Sequence, residues 1–137
     1  MRKTLTLEAT LANLEQVLAF VDGALEELEC PMKKQMQVDL AVEEAFVNVA
    51  NYAYGEETGS ATLELFADPR EGEFTVTLLD RGTPFDPLAR EDPDLSLPAE
   101  KREIGGLGIY MVKKNMDGVS YAYRNGQNVL TMRKIIR

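Results

Sequence analysis

The chain has 137 residues, 45% of them hydrophobic and 28% charged, with a net charge of −8, one cysteine and no histidine. That size suits one domain around one substantial core, and no apolar run approaches the roughly 20 residues of a membrane span. The acidic balance argues against a nucleic-acid face, Cys30 cannot form an internal disulfide, and without histidine there is no Ser-His or Cys-His catalysis. Any chemistry falls to carboxylates and amides.

The opening MRKTLTLEATL lacks the apolar core and small-residue cleavage site of a signal peptide, so a cytoplasmic location is expected. Within it, residues 3–7 alternate polar and apolar as a half-buried strand does. Leu11, Leu14, Leu18, Val21, Leu25 and Leu28 then recur at helical spacing over 11–29. Pro31 stops that helix and opens a second, over about 32–54, which Gly55 ends. Residues 61–67 and 73–79 alternate as two strands of a hairpin around DPREG. From Asp80 to Arg102 the periodicity is lost, four prolines intervene, and a loop of that length is functional or disordered. The IGGLGIYMVKKNMDGV stretch predicts a helix closed by Gly118, and residues 119–124 and 128–136 a second hairpin turned by Asn-Gly. The order β-α-α-β-β-loop-α-β-β predicts an α+β, two-layer α/β sandwich: a mixed, mostly antiparallel sheet with helices on one face.

Three stretches carry chemistry. In LAVEEAFVNVANYAYGEE, Glu44, Asn48 and Asn51 fall at i, i+4 and i+7, with Tyr52 beside them. They form either a solvated strip or the wall of a cleft, and the surrounding Ala and Val residues favour the cleft. In LLDRGTPFDP, Asp80 ends an apolar strand with Gly82 two residues on. The D-x-G is either a plain turn or an acid placed to accept from an amino group such as adenine N6, with glycine admitting a flat ring. In IGGLGIYMV, Gly105, Gly106 and Gly108 open a helix, whose first N–H groups suit phosphate unless the glycines are only a hinge.

In this order and spacing, the chain resembles the GHKL (Bergerat-fold) ATPases, and more closely their anti-sigma-factor serine/threonine kinases. AVEEAFVNVANYAY is similar to that family's N box, DRGTPFDP to its G1 box and GGLGIYMVKKNMDGVSY to its G2 box. Pro84 stands where the G1 box usually has a second glycine, and Tyr52 where the kinases often carry histidine. The resemblance covers nearly the whole chain and implies one ATP-binding domain over residues 1–137. It implies Glu44 as catalytic base and Asn48 as Mg²⁺ ligand. Asp80 is then the adenine acid, and Gly82, Asn51, Gly105, Gly106, Leu107 and Gly108 belong to the nucleotide site. Thr131 supplies a hydroxyl near adenine, and residues 88–104 form an ATP lid in which Lys101 and Arg102 either touch phosphate or only solubilise the loop. The cofactors implied are ATP and Mg²⁺. The partners implied are a sigma factor and a small anti-anti-sigma protein as phosphoacceptor; the sequence leaves a homodimer open, and composition argues against nucleic acid and membrane. The alternative is a non-catalytic nucleotide-binding module that sequesters its partner.

Overall fold

The computed structural model describes residues 1–89 and 106–137. Five strands form one sheet: β1 (Arg2–Glu8), β2 (Ser60–Asp68), β3 (Glu73–Asp80), β4 (Gly118–Arg124) and β5 (Gln127–Ile135). Their order is β1-β2-β3-β5-β4. Each of the four pairings is antiparallel, so the mixed character expected from the sequence is not seen among the described residues. The helices are α1 (Leu14–Glu27), α2 (Met32–Tyr52) and α3 (Gly106–Asn115).

The register explains the single core. Leu5, Leu63, Leu78 and Leu130 lie opposite one another across four strands, so residues of matching parity share one face. Val17, Val21 and Leu25 of α1 and Val38, Val42 and Phe46 of α2 are buried against that face, each set at spacings of four. Val112 and Met116, from α3 and its end, complete the layer.

Helix ends depart slightly from the sequence-based expectation. Residues Leu11–Asn13 form a 3₁₀ turn before α1, because Thr10 is extended and Asn13 Nδ2 donates back to Glu8 O at 2.9 Å. At the other end Glu29 takes a left-handed φ of 56°, and the Cys30 N–H reaches Leu25 O at 3.0 Å. Gly118 begins β4 instead of closing α3. The end of α3 is capped by Lys134, buried on the inner face of β5, whose Nζ donates to Asn115 O at 2.7 Å. Asn125 and Gly126, with φ of 55° and 74°, make the tight turn their types favour.

A clasp holds α2 against β2 and β3. The Tyr54 hydroxyl donates to Ser60 O at 2.6 Å and accepts from the Arg81 N–H at 2.8 Å. The Thr83 N–H donates to Ala53 O at 2.8 Å. Together these bonds tie the end of α2 to the start of β2 and to the segment leaving β3.

Candidate functional site

A cavity of about 420 Å³ opens between α2, α3 and the β3–β5–β4 side of the sheet. Its floor is apolar, with Val49, Leu78, Ile109, Val112 and Leu130 among the lining residues. The polar groups are few: Glu44, Asn48 and Tyr52 from α2, Asp80 from the end of β3, Thr83 from the segment after it, and Tyr121 and Asn128 from the last hairpin. Pro84, Phe85 and Pro87 form a wall beside Asp80.

Asp80 is buried, and two donors converge on its Oδ1: the Gly82 N–H and Asn128 Nδ2, each at 2.9 Å. Among the described residues no hydrogen bond reaches Oδ2, which leaves one carboxylate oxygen for a donor inside the cavity. Glu44 and Asn48 are half-buried one helical turn apart. Neither side chain has a hydrogen-bond or ion-pair partner among the described residues. Desolvating such groups without a partner is unfavourable, so their placement on a cavity wall fits a ligand with a cation and an exchangeable proton at that end.

Gly108, in the first turn of α3, lies against Glu44: a Cβ built there would stand 3.0 Å from Glu44 Oε2. Its lack of a side chain makes room for the carboxylate. Gly82 is used differently. A Cβ on Gly82 would collide with Ala53, coming within 2.6 Å of both its carbonyl carbon and its Cβ. The glycine thus permits the close approach of the 81–83 segment to the end of α2, where the sequence suggested room for a flat ring.

Two further expectations are corrected. Asn51 is exposed and outside the cavity lining. The cavity follows the inclined i, i+4 ridge of α2, which runs from Glu44 through Asn48 to Tyr52 and leaves Asn51 to one side. Thr131 is also outside the lining, because strand alternation puts it on the sheet face opposite Asn128, Leu130 and Met132. Asn128 takes the buried polar position beside Asp80. Gly106 begins α3, so Gly106, Leu107 and Gly108 contribute its first-turn N–H groups. Gly105, Lys101, Arg102 and nearly all of the expected lid lie outside the described residues.

The residues present fit Mg²⁺ only as a shared ligand. Among the described residues no group of three or more carboxylates or thiols is placed to hold a metal. Asn48 would then offer one protein oxygen, with phosphate oxygens and water completing the shell, as Mg²⁺ commonly requires.

A second acidic group lies between the helices. Asp22 of α1 and Asp39 of α2 each bury Oδ1 without a donor among the described residues. Burial, then the Asp22 carboxyl and the charge of Glu43, push the Asp39 carboxyl up to about 8. A proton on the Asp39 carboxyl, directed at Asp22, would satisfy both oxygens.

Comparison with known proteins adds an independent line. The family model described as "Histidine kinase-like ATPase domain" matches residues 7–134. A serine-protein kinase RsbW from Listeria monocytogenes is 35% identical over 101 residues, covering 70% of this chain and 63% of the relative's length. RsbW from Bacillus cereus is 26% identical over 137 residues, covering 96% of this chain and 77% of its own. Among solved structures, the RsbU and RsbW domains of a Mycobacterium tuberculosis protein match 98% of this chain and 31% of theirs, with a TM-score of 0.70 at 15% identity. That last likeness concerns the fold.

Proposed function

Since this chain belongs to the histidine kinase-like ATPase domain family, we propose that it is an ATP-dependent serine/threonine protein kinase. Its phosphoacceptor would be a small anti-anti-sigma protein, and its alternate partner a sigma factor, in a partner-switching circuit. The relatives named serine-protein kinase support the reaction class. The partner assignment rests on the resemblance of the three boxes.

The observation that carries the reading is the polarity of the cavity: an acid with one open oxygen at one end, and Glu44 with Asn48 at the other, separated by an apolar floor. Asp80 Oδ2 accepts from the exocyclic amino group of adenine. Asn48 offers its amide oxygen to Mg²⁺, whose role when bound is to neutralise charge on the phosphates. The N–H groups opening α3 face anionic oxygen. Glu44, one turn before Asn48, accepts the proton of the attacking serine or threonine hydroxyl as its oxygen bonds to the γ-phosphorus and the bond to the β-phosphate oxygen breaks. The products are phosphoprotein and ADP.

Incubation with radiolabelled Mg-ATP and small anti-anti-sigma proteins encoded beside this chain's gene tests the proposal. Label on serine or threonine of one acceptor is the expected result. Tight ATP binding with no transfer to any acceptor would shift the reading to the sequestering module.

A further inference from the structure

Asn128 has no hydrogen-bonding capacity left over. Its Nδ2 donates to Asp80 Oδ1 at 2.9 Å and to Thr83 O at 3.0 Å, with Gly82 O at 3.4 Å. Its Oδ1 accepts from the Phe85 N–H at 3.1 Å and from the Tyr121 hydroxyl. A backbone N–H can only donate and a backbone carbonyl can only accept, so these partners admit one orientation of the amide. Turned over, it would set Nδ2 against the Phe85 N–H and Oδ1 against the Thr83 carbonyl. The side chain is buried and joins the end of β3, the 81–85 segment and β4.

We infer that Asn128 is the positioning residue for base selection, fixing Asp80 Oδ1 through its amide so that Oδ2 alone faces the base, with Tyr121 holding the amide in place. Asn128 does not itself contact the base. A carboxylate with one oxygen engaged by two N–H donors cannot rotate to relieve repulsion from a carbonyl, so it rejects guanine O6 at the position where it accepts from adenine N6. This rests on the proposed adenine-binding reading of the cavity.

A double-mutant cycle tests it, with Mg-ATP and Mg-GTP titrated calorimetrically into wild type, Asn128→Ala, Asp80→Ala and the double variant. Asn128→Ala is expected to lower ATP affinity about tenfold, with GTP affinity nearly unchanged, the scale of one lost hydrogen bond to a charged group. In the Asp80→Ala background the same change is expected to cost less than about threefold, because Asn128 acts through Asp80. Additive losses, or an unchanged ATP/GTP ratio, would overturn the inference. Should Asn128→Ala not fold, Tyr121→Phe removes only the hydroxyl, and its ATP/GTP ratio should fall about threefold; an unchanged ratio there also overturns it. Should the wild type bind neither nucleotide, the adenine reading fails. NMR exchange of the Asn128 side-chain amide protons then decides separately: protection that Asp80→Ala releases supports the positioning role, and exchange at the free-amide rate in wild type refutes it.

Discussion

Gly108 and Glu44 meet across the α2–α3 contact so closely that one added methyl group would touch the carboxylate, 3.0 Å from Oε2. Gly108→Ala should therefore separate folding from catalysis. Alanine favours the helix by up to about 1 kcal/mol over glycine, so the midpoint of thermal unfolding should stay level or rise. Glu44 must move by a few tenths of an ångström, and phosphoryl transfer should fall about tenfold through lost alignment. Unchanged transfer in a folded Gly108→Ala protein would show that the position of Glu44 is not critical.

Glu44 and Asn48 should differ in what they control. Glu44→Gln keeps shape and volume, so ATP affinity should stay within a few-fold while transfer falls by about 10²–10⁴, the contribution of a positioned base. Asn48→Ala should weaken Mg²⁺-dependent ATP binding and transfer together. Binding by calorimetry and transfer by radiolabel, measured on the same preparations, distinguish the two patterns; wild-type transfer by Glu44→Gln would remove it from the base role.

Gly82→Ala should act first on stability. The new Cβ meets the backbone of Ala53, which no rotamer change can relieve, so a cost of about 3 kcal/mol is expected, at the upper end for overpacking. Denaturant unfolding measures it directly. The same displacement breaks the Asp80–Gly82 turn, so ATP affinity should fall as well. A variant as stable as wild type would mean that the 81–83 segment moves away from α2 freely.

The Asp22–Asp39 pair predicts alkaline sensitivity. The folded-state pKa of Asp39 is raised to about 8, so the folded protein holds a proton that the unfolded chain has released above the ordinary carboxylate range. Stability is thus fully present in acid relative to that range and is lost as pH rises through about 8. Asp39→Asn removes the titration. Its melting temperature should exceed that of wild type at and above that pH, with the margin shrinking steadily towards acid. A margin independent of pH would exclude the proton on Asp39.

The sequence makes the elements and the two ends of the cavity legible, because each depends on local chemistry. Asn125-Gly126 specifies its turn, the leucine and valine spacing specifies α1 and α2, and Asp80 is marked by ending an apolar strand. What is not legible depends on register. The two faces of β5 have similar composition: Asn128, Leu130, Met132 and Lys134 point inward, while Val129, Thr131, Arg133 and Ile135 point outward. Thr131 enters through the resemblance alone, as a hydroxyl of the last strand, and nothing local to the strand sets Asn128 apart from it. The signal that could have found Asn128 is its place at the start of β5, directly opposite Asp80 once the strands are paired. Gly82 is visible as a glycine, but nothing local shows that Ala53 fills the space where its side chain would be. Likewise Asp22 and Asp39 sit on separate helices, and only the packing of α1 on α2 brings their carboxyls together.

The Tyr54 clasp fixes the distance between the two ends of the cavity before any ligand arrives. The helix bearing Glu44 and Asn48 and the strand bearing Asp80 are joined through a phenol, two backbone donors and two backbone carbonyls, all within the folded chain. The entropy lost in bringing these groups into register is therefore lost once, at folding, and not again at each encounter with ligand. A ligand made of the base end alone, or of the phosphate end alone, would find its half of the cavity already formed. The binding free energies of two such fragments should then come close to accounting for the whole, apart from the advantage of linking them.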